Sequence, residues 1–295
     1  MITYNGNIVV NNGRWIIPER MKYKVNLIQT EGGTISAVPV TGINGVTVTL
    51  SNTPNQYYSF DGYTVNGATL YGGNKFDFDN SDVTVSASFK WNYVDPVVGE
   101  TVKIGDQIWM KNTLAVDSTA GGLHKQNVTI NGVNFGTIYY YQYRLAKSIV
   151  DNIPGWHMPT QAEWETLIAS TGTSDVWEQG ERLRDTVGWR DTTVCNNATG
   201  FSAHPFGYRY WTGGDTSGEW TMGQYGRSCY YHGYQHDDGY SNSVLEISDA
   251  YYYTDHLGRQ QWWRGRPELD DWSCSSQATT AWKQNFAPVR LIKDY

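Results

Sequence analysis

The sequence has little charge, few cysteines and no long apolar run. Charged residues make up 17% of the 295 residues and the net charge is -7, so no basic surface for nucleic acid is expected. The 3 cysteines, Cys195, Cys229 and Cys274, are widely spaced, which excludes a disulfide framework and a zinc-site pattern and allows a single disulfide at most. No stretch reaches the length of a membrane span, so membrane insertion is not expected.

Signatures of catalysis and metal binding are also missing. The sequence contains no H-E-x-x-H, G-x-S-x-G, P-loop or dinucleotide-binding motif, and neither the Glu-Pro-Asn nor the Gln-Pro-Asp tripeptide of calcium-dependent lectins. His232 and His236, four residues apart, could bind a metal together in a helix, which Gly233 disfavours. Asp237–Asp238 and Glu268–Asp271 are typical of solvated acids. We therefore predict no enzyme, no cofactor and no obligatory metal; the alternative is a glycan-cleaving activity, because sequence does not reveal carboxylate distances.

The N-terminal segment lacks the features of a secretory signal. It has no charged region followed by an apolar region and a small-residue cleavage site. We expect a protein that is made and kept in the cytoplasm, or that leaves the cell by lysis inside a particle. A secreted chain whose signal has been removed would look the same and remains the alternative.

Aromatic residues are the main feature in excess. They form 15% of the chain, with 13 Trp and 22 Tyr. Both residue types combine apolar area with a polar group, so they suit cores and binding surfaces alike.

Two-residue alternation dominates the first third of the chain. Residues 2–16 predict a short hairpin around the Asn-Asn-Gly turn at 11–13, and residues 22–91 predict a series of strands that ends with Val83, Val85 and Phe89. The runs YKVNLIQTEGGTISAV and FDFDNSDVTVSASFKW resemble the divergent bacterial repeat related to the internalin B-repeat, with Gly62-Tyr63 in place of the usual Gly-Trp pair. This resemblance implies a stalk or spacer.

A different pattern begins after Asp95. Residues 101–117 predict a hairpin with Ile104, Ile108 and Trp109 facing inward. Residues 139–150 have near-helical spacing of apolar residues.

A second helix is indicated by a capping box. Thr160 and Glu163 form this box, and Trp164, Leu167 and Ile168 follow on one face. Beyond Gly172 the composition favours long loops and short strands rather than helices. The stretch NFAPVRLIKDY predicts a closing strand.

Several motifs in residues 101–293 carry a second resemblance. They are TVKIGDQIWMKNTL, GTIYYYQYRLAKSI, GWHMPTQAEWETL, RLRDTVGW, TGFSAHPFGYRY and APVRLIKD. In this order they resemble the Fibrobacter succinogenes major paralogous domain, which is related to the C-type lectin fold. The resemblance implies a mainly β fold with two short helices (α+β), in which a C-type-lectin-like head follows the small all-β repeat.

The chain departs from that family between about 211 and 285, where the family has a shorter stretch. This difference leaves any family ligand open. Formylglycine-generating enzymes share the broad fold, but their chemistry needs neighbouring reactive cysteines, and the three cysteines here are far apart in sequence.

The expanded stretch supplies the candidate ligand-binding residues. Rigid aromatics among small polar residues are typical of antibody paratopes, so we expect a loop-borne binding surface, although many of these rings would also suit the packing of an irregular core. The same composition resembles the variable region of diversity-generating retroelement proteins. The candidate residues are Trp220, Tyr225, Tyr230, Tyr231, Tyr234, Asp237, Tyr240, Tyr252, Trp262, Trp263, Arg264 and Trp272.

Taken together, these patterns predict an attachment segment at 1–20, a β-repeat spacer at 21–93 and a head at 94–295. The predicted function is a non-enzymatic receptor-binding protein of a phage tail or fibre, located in the virion. Its expected partners are a bacterial surface glycan or outer-membrane protein, other tail proteins through the N-terminal segment, and further copies of the chain, as a trimer in fibres. The alternatives are a secreted or lipid-anchored Bacteroidetes-type adhesin on the cell surface and a structural decoration of the virion.

Overall fold

The computed structural model has two compact units, Met1–Tyr93 and Val94–Tyr295, called here the repeat unit and the head unit. Strands account for 46% of the chain and the helices are short, so the expected mainly β class is confirmed. Within the described residues no helix is long and apolar enough to cross a membrane. The described residues are 2–4, 8–11, 14–16, 22–211, 220–223, 227–235, 241–248, 251–254, 259–263, 266–273 and 285–294.

The N-terminal segment forms a small antiparallel sheet. Its strands are β1 (Ile2–Tyr4), β2 (Ile8–Asn11) and β3 (Arg14–Ile16). Asn11 pairs with Arg14, so β2 and β3 form the hairpin that the Asn-Asn-Gly turn predicts.

The repeat unit contains two further sheets. Their strands are β4 (Tyr23–Leu27), β5 (Gly33–Val38), β6 (Thr41–Gly42), β7 (Thr47–Pro54), β8 (Tyr58–Asn66), β9 (Lys75–Asp77) and β10 (Val83–Trp91). One sheet has the order β6-β4-β10-β8 and the other β5-β7-β9, and β4 runs parallel to β10. Alternating residues of these strands, including Val48, Phe76 and Val85, are fully buried and form one core.

The head unit contains the remaining strands and all the described helices. Its strands are β11 (Val94–Asp95), β12 (Gly99–Ile104), β13 (Gln107–Met110), β14 (Leu123–Ile130), β15 (Val133–Gln142), β16 (Trp156–His157), β17 (Tyr208–Trp211), β18 (Trp220–Gly223), β19 (Ser228–Gln235), β20 (Ser241–Ser248), β21 (Tyr251–Thr254), β22 (Gln260–Trp263), β23 (Pro267–Ser273), β24 (Phe286–Ala287) and β25 (Ile292–Lys293). Its helices are α1 (Tyr143–Val150), α2 (Gln161–Ala169) and α3 (Val176–Leu183).

The closing stretch of the chain joins two sheets of the head. The sheet β11-β12-β13-β25-β16 contains β25, and the sheet β14-β15-β24-β17-β18 contains β24. The stretch predicted as one closing strand is therefore two short strands that lie inside different sheets. Two smaller sheets, β19-β20-β23 and β21-β22, complete the described part of the head.

The two predicted helices are present, and only the start of the first is corrected. In α2 the Thr160 hydroxyl accepts a hydrogen bond from the Glu163 amide, and the Glu163 carboxylate accepts one from the Thr160 amide, as the capping box predicts. Helix α1 begins only at Tyr143, because residues 139–142 continue β15 and pair with residues 123–125 and 286–287 of neighbouring strands.

A third helix corrects the expectation of loops beyond Gly172. Helix α3 is capped by Asp175, whose carboxylate accepts hydrogen bonds from the Trp177 and Glu178 amides at 2.9 and 3.2 Å. Arg182 contacts Glu178 one turn earlier at 2.5 Å. These local interactions stabilise α3, although the Gly-rich and Ser-rich composition of the surrounding sequence predicted loops.

The predicted hairpin at 101–117 is also corrected at one position. Ile104 and Trp109 are buried, but Gln107 rather than Ile108 is the buried residue near the turn. Its side chain donates to the Glu163 carbonyl at 3.0 Å, and its amide oxygen accepts from the Trp109 indole at 3.3 Å. A satisfied amide therefore occupies the inward position between the hairpin and α2.

Candidate ligand-binding surface of the head unit

Most of the predicted ligand-binding residues lie on strands, which corrects the expectation of a loop-borne surface. Trp220 lies on β18, Tyr230, Tyr231 and Tyr234 on β19, Tyr252 on β21, Trp262 and Trp263 on β22, and Trp272 on β23. Tyr225, Asp237, Tyr240 and Arg264 lie outside the described residues. Tyr and Trp favour strands, so the aromatic composition that suggested loops is equally suited to this sheet-rich region.

Strands β21 and β22 form an antiparallel pair that we call the aromatic hairpin (residues 251–254 and 260–263). Its register places Tyr252 opposite Trp262 and Tyr251 opposite Trp263. Directly opposed positions are the closest neighbours across two strands, and successive positions belong to opposite faces. The backbone therefore brings one Tyr–Trp pair to each face of the hairpin.

The sheet β19-β20-β23 lies partly inside the core. Val244, Leu245 and Ile247 of its middle strand are fully buried. Towards the other end of the register, Asn242 pairs with Trp272 and Ser243 with Asp271. Residues from distant parts of the sequence are thus neighbours on one sheet.

Tyr231 is a core residue, which removes it from the candidate ligand contacts. Its side chain is fully buried and its ring lies 5.3 Å from the Arg290 guanidinium. Arg290 also lies over the Phe201 ring at 4.2 Å and donates to the carbonyls of Phe201, Ser202 and Lys111. The burial of Tyr231 is therefore explained by its packing against the buried guanidinium of Arg290.

Tyr230 is also mostly buried, at 6% exposure, so it supports the surface rather than forming it. Its hydroxyl donates to Glu246 Oε1 at 2.6 Å, and its ring lies 4.7 Å from that of Tyr208. Burial and the Glu246 hydrogen bond both hold the pKa of Tyr230 above its usual value, so the hydroxyl stays protonated and remains a donor.

The neighbours of Tyr230 include residues that sequence reasoning missed. Tyr208 and Tyr210 are half-buried on β17, with ring centroids 5.4 Å apart. The Tyr-Arg-Tyr alternation in β17 was the available signal, because residues two apart on a strand share a face. We call Tyr208, Tyr210, Tyr230 and Glu246 the tyrosine patch.

Two carboxylates lie close to the tyrosine patch. Glu246 pairs in register with Glu268 on β23, and Arg266 contacts Glu268 at 2.5 Å. Carboxylates beside half-buried tyrosines offer hydrogen-bond acceptors next to apolar ring faces. This combination suits a ligand rich in hydroxyl groups.

Histidine and cysteine residues of the same region are used in packing. His232 lies in β19, not in a helix, and donates to the Tyr141 carbonyl at 2.9 Å, while burial lowers its pKa to about 4. Cys195 and Cys229 are buried; the Cys195 thiol donates to the Asp191 carbonyl at 3.4 Å, and burial raises the pKa of Cys229 to about 12. His236 and Cys274 lie outside the described residues. No group of three His, Cys, Asp or Glu able to hold a metal occurs in the described part of the chain.

Comparisons with known families match both units. Residues 102–293 match the model of the Fibrobacter succinogenes major domain, and residues 23–93 match that of the divergent InlB B-repeat domain. Both resemblances drawn from the sequence are confirmed, in the expected order. No curated protein and no solved structure gives a significant match. The two domains together indicate a surface or adhesin-like protein.

Proposed function

We propose that this chain, which belongs to the Fibrobacter succinogenes major domain family, is a non-enzymatic receptor-binding protein of a phage tail or fibre. The head unit binds a ligand on the bacterial surface, and the repeat unit serves as a folded spacer. The observation that carries the proposal is the register of the aromatic hairpin, which pairs Tyr252 with Trp262 and Tyr251 with Trp263.

Two properties of the hairpin support a binding role. Tyr and Trp provide large contact areas at a low entropic cost, because each has only two rotatable side-chain bonds. In addition, β21 and β22 pair only with each other among the described strands. Membership of a larger sheet therefore does not explain why aromatic residues occur at these positions.

The tyrosine patch supports the same role and favours a ligand class. Tyr208 and Tyr210 are half-buried, and the carboxylate of Glu246 lies in the same patch through its hydrogen bond to Tyr230. Acceptors next to ring faces suit the hydroxyl groups and C–H faces of a sugar, so we propose a surface glycan as the ligand and an outer-membrane protein as the alternative.

Adsorption of the full chain to bacteria tests this function. A fluorescently labelled chain is titrated onto candidate host cells and onto capsule-free mutants of the same strains, with and without a chelator. Saturable binding that falls at least tenfold in the double variant W262A/W263A is the expected result. The matched control is Trp177→Ala, which removes a 40% exposed tryptophan from α3.

Each result decides between the alternatives. Binding that survives W262A/W263A, or falls equally in Trp177→Ala, overturns the assignment to the hairpin. If no cell binds the chain although antibodies detect it in purified particles, structural decoration replaces receptor binding. Detection on intact producer cells but not in particles favours a secreted or lipid-anchored adhesin.

A further inference from the structure

The repeat unit contains a pocket that the spacer role does not explain. It has a volume of about 550 Å³ and is lined by Gly67, Ala68, Thr69, Tyr71, Asp77 and Asp79. The volume falls within the range of small-molecule sites, and the pocket is open to solvent with a mostly polar lining. We propose that it is a second ligand site of the protein and takes one or two units of a neutral or amino-bearing saccharide.

Both walls of the pocket are held by the core. Phe76 and Phe78 are fully buried, so the alternation of the chain places Asp77 and Asp79 on the outer side. On the facing wall Ala68 and Leu70 pack against the same core. Thr69 and Tyr71 consequently face outward, Tyr71 at 43% exposure.

The backbone of the facing wall, residues 67–71, is fixed as well. The Ser81 hydroxyl donates to the Gly67 carbonyl at 3.1 Å. Gly67 has a φ of +97°, and a Cβ there would lie 2.6 Å from the Asp82 carbonyl oxygen, so no other residue fits without movement. Tyr71 pairs with Lys75 through two backbone hydrogen bonds of 2.7 and 3.0 Å. The lining is therefore preorganised, which lowers the entropic cost of binding.

Asp77 is set up as a hydrogen-bond acceptor. Thr47, its register partner on β7, donates its hydroxyl to Asp77 Oδ1 at 2.6 Å, and the Tyr71 hydroxyl donates to the same oxygen at 2.8 Å. These two hydrogen bonds hold the pKa of Asp77 below its usual value, so the carboxylate is ionised at neutral pH. Within the described residues neither bond uses Oδ2, which leaves that oxygen for a ligand hydroxyl.

Charge and shape select the ligand class. Of the described residues that line the pocket, two are carboxylates and none is cationic, so phosphates and acidic sugars are repelled. The half-exposed Tyr71 ring offers an apolar face, which a sugar ring uses and a bare metal ion does not. Because Asp77 Oδ1 already accepts two hydroxyl donors, its charge is partly satisfied, which favours hydroxyl groups over a divalent cation.

Saturation-transfer NMR on the full chain tests the site. The probes are methyl α-mannoside, methyl β-glucoside, methyl β-galactoside and N-acetylglucosamine, each titrated into the chain. We expect saturable binding of at least one probe, weakened about tenfold or more by Asp77→Asn and by Tyr71→Ala, since each removes a contact to the ligand. The matched control is Asp61→Asn, which makes the same change at another carboxylate of the repeat unit, where the partners are Lys90 and Ser88.

The remaining outcomes are decisive too. The proposal is overturned if no probe binds, if Asp77→Asn and Tyr71→Ala bind as the parent does, if Asp61→Asn loses binding equally, or if calcium or an acidic sugar is the only species bound. A thermal melt checks folding. If Tyr71→Ala does not fold, Asp77→Asn alone decides, and it must weaken binding. The variant W262A/W263A should leave this site intact, so the two binding proposals succeed or fail separately.

Discussion

Replacing His157 with Gln should destabilise the head unit in a pH-dependent way. His157 Nε2 lies 2.9 Å from Glu163 Oε1, and Nδ1 lies 2.5 Å from Asp294 Oδ1. The ring thus connects the start of α2 with the end of β25. The hydrogen bond to Glu163 raises the pKa of His157, burial opposes the shift, and Asp294 raises it further.

The size of the effect follows from the exposure of the three groups. The His157 and Glu163 side chains are 31% and 18% exposed, so their charged hydrogen bond contributes about 1.5 kcal/mol, the lower end of the usual range. Asp294 is 53% exposed, so solvent screening limits its contribution to about 0.5 kcal/mol. A loss of about 2 kcal/mol corresponds to a fall in melting temperature of about 4–8 °C for a unit of this size.

The pH dependence has a definite sign. Because the pKa of folded His157 is raised above the ordinary value of 6.5, its contribution is fully present below about pH 6.5 and is lost as pH rises through the folded-state value. Calorimetry of the full chain should therefore show a large difference between parent and His157→Gln at pH 6 and a smaller one at pH 9.

The control is His124→Gln, because burial and Arg209 lower the pKa of that histidine instead. Its effect should not shrink as pH rises. Equal melting-temperature differences at pH 6 and pH 9 for His157→Gln would refute the charge argument, and so would an Asp294→Asn variant that is neutral at pH 6.

Three further changes have measurable outcomes. Arg290→Met should cost about 3–5 kcal/mol in urea unfolding, because the buried carbonyls of Phe201 and Ser202 lose their donor; a cost near 1 kcal/mol would contradict the anchoring role. Thr160→Ala should cost about 1 kcal/mol by removing the cap of α2, whereas Thr160→Ser should be nearly neutral in the same assay. Native Cys195 and Cys229 should resist iodoacetamide at pH 8 and react after unfolding, as mass spectrometry will show; rapid labelling of Cys229 in the folded chain would contradict its burial and raised pKa.

Elements with strong local signals were predictable from sequence. Alternation around Val83 and Val85 identifies β10, and the Thr160–Glu163 capping box identifies the start of α2. In both cases the signal lies in residues close together in the chain, and the structure keeps the same local interactions.

Features that depend on distant residues were not predictable. Gln107 takes the inward position expected for Ile108 because α2 supplies a carbonyl acceptor from Glu163. Tyr231 lies in a stretch whose composition is typical of paratopes. Its ring nevertheless packs in the core against Arg290, which is distant in sequence. The tyrosine patch forms only when β17, β19 and β20 meet, so no short window of sequence contains it.

The parallel pairing of β4 with β10 determines how the repeat unit bears a pulling force. The chain enters the pair at the start of β4 and leaves it at the end of β10, with Val25, Asn26 and Leu27 matched to Val83, Thr84 and Val85. Tension applied through the two ends therefore acts along the strands. The hydrogen bonds between them are loaded in shear and must break together, whereas an antiparallel pair pulled from one end opens one bond at a time.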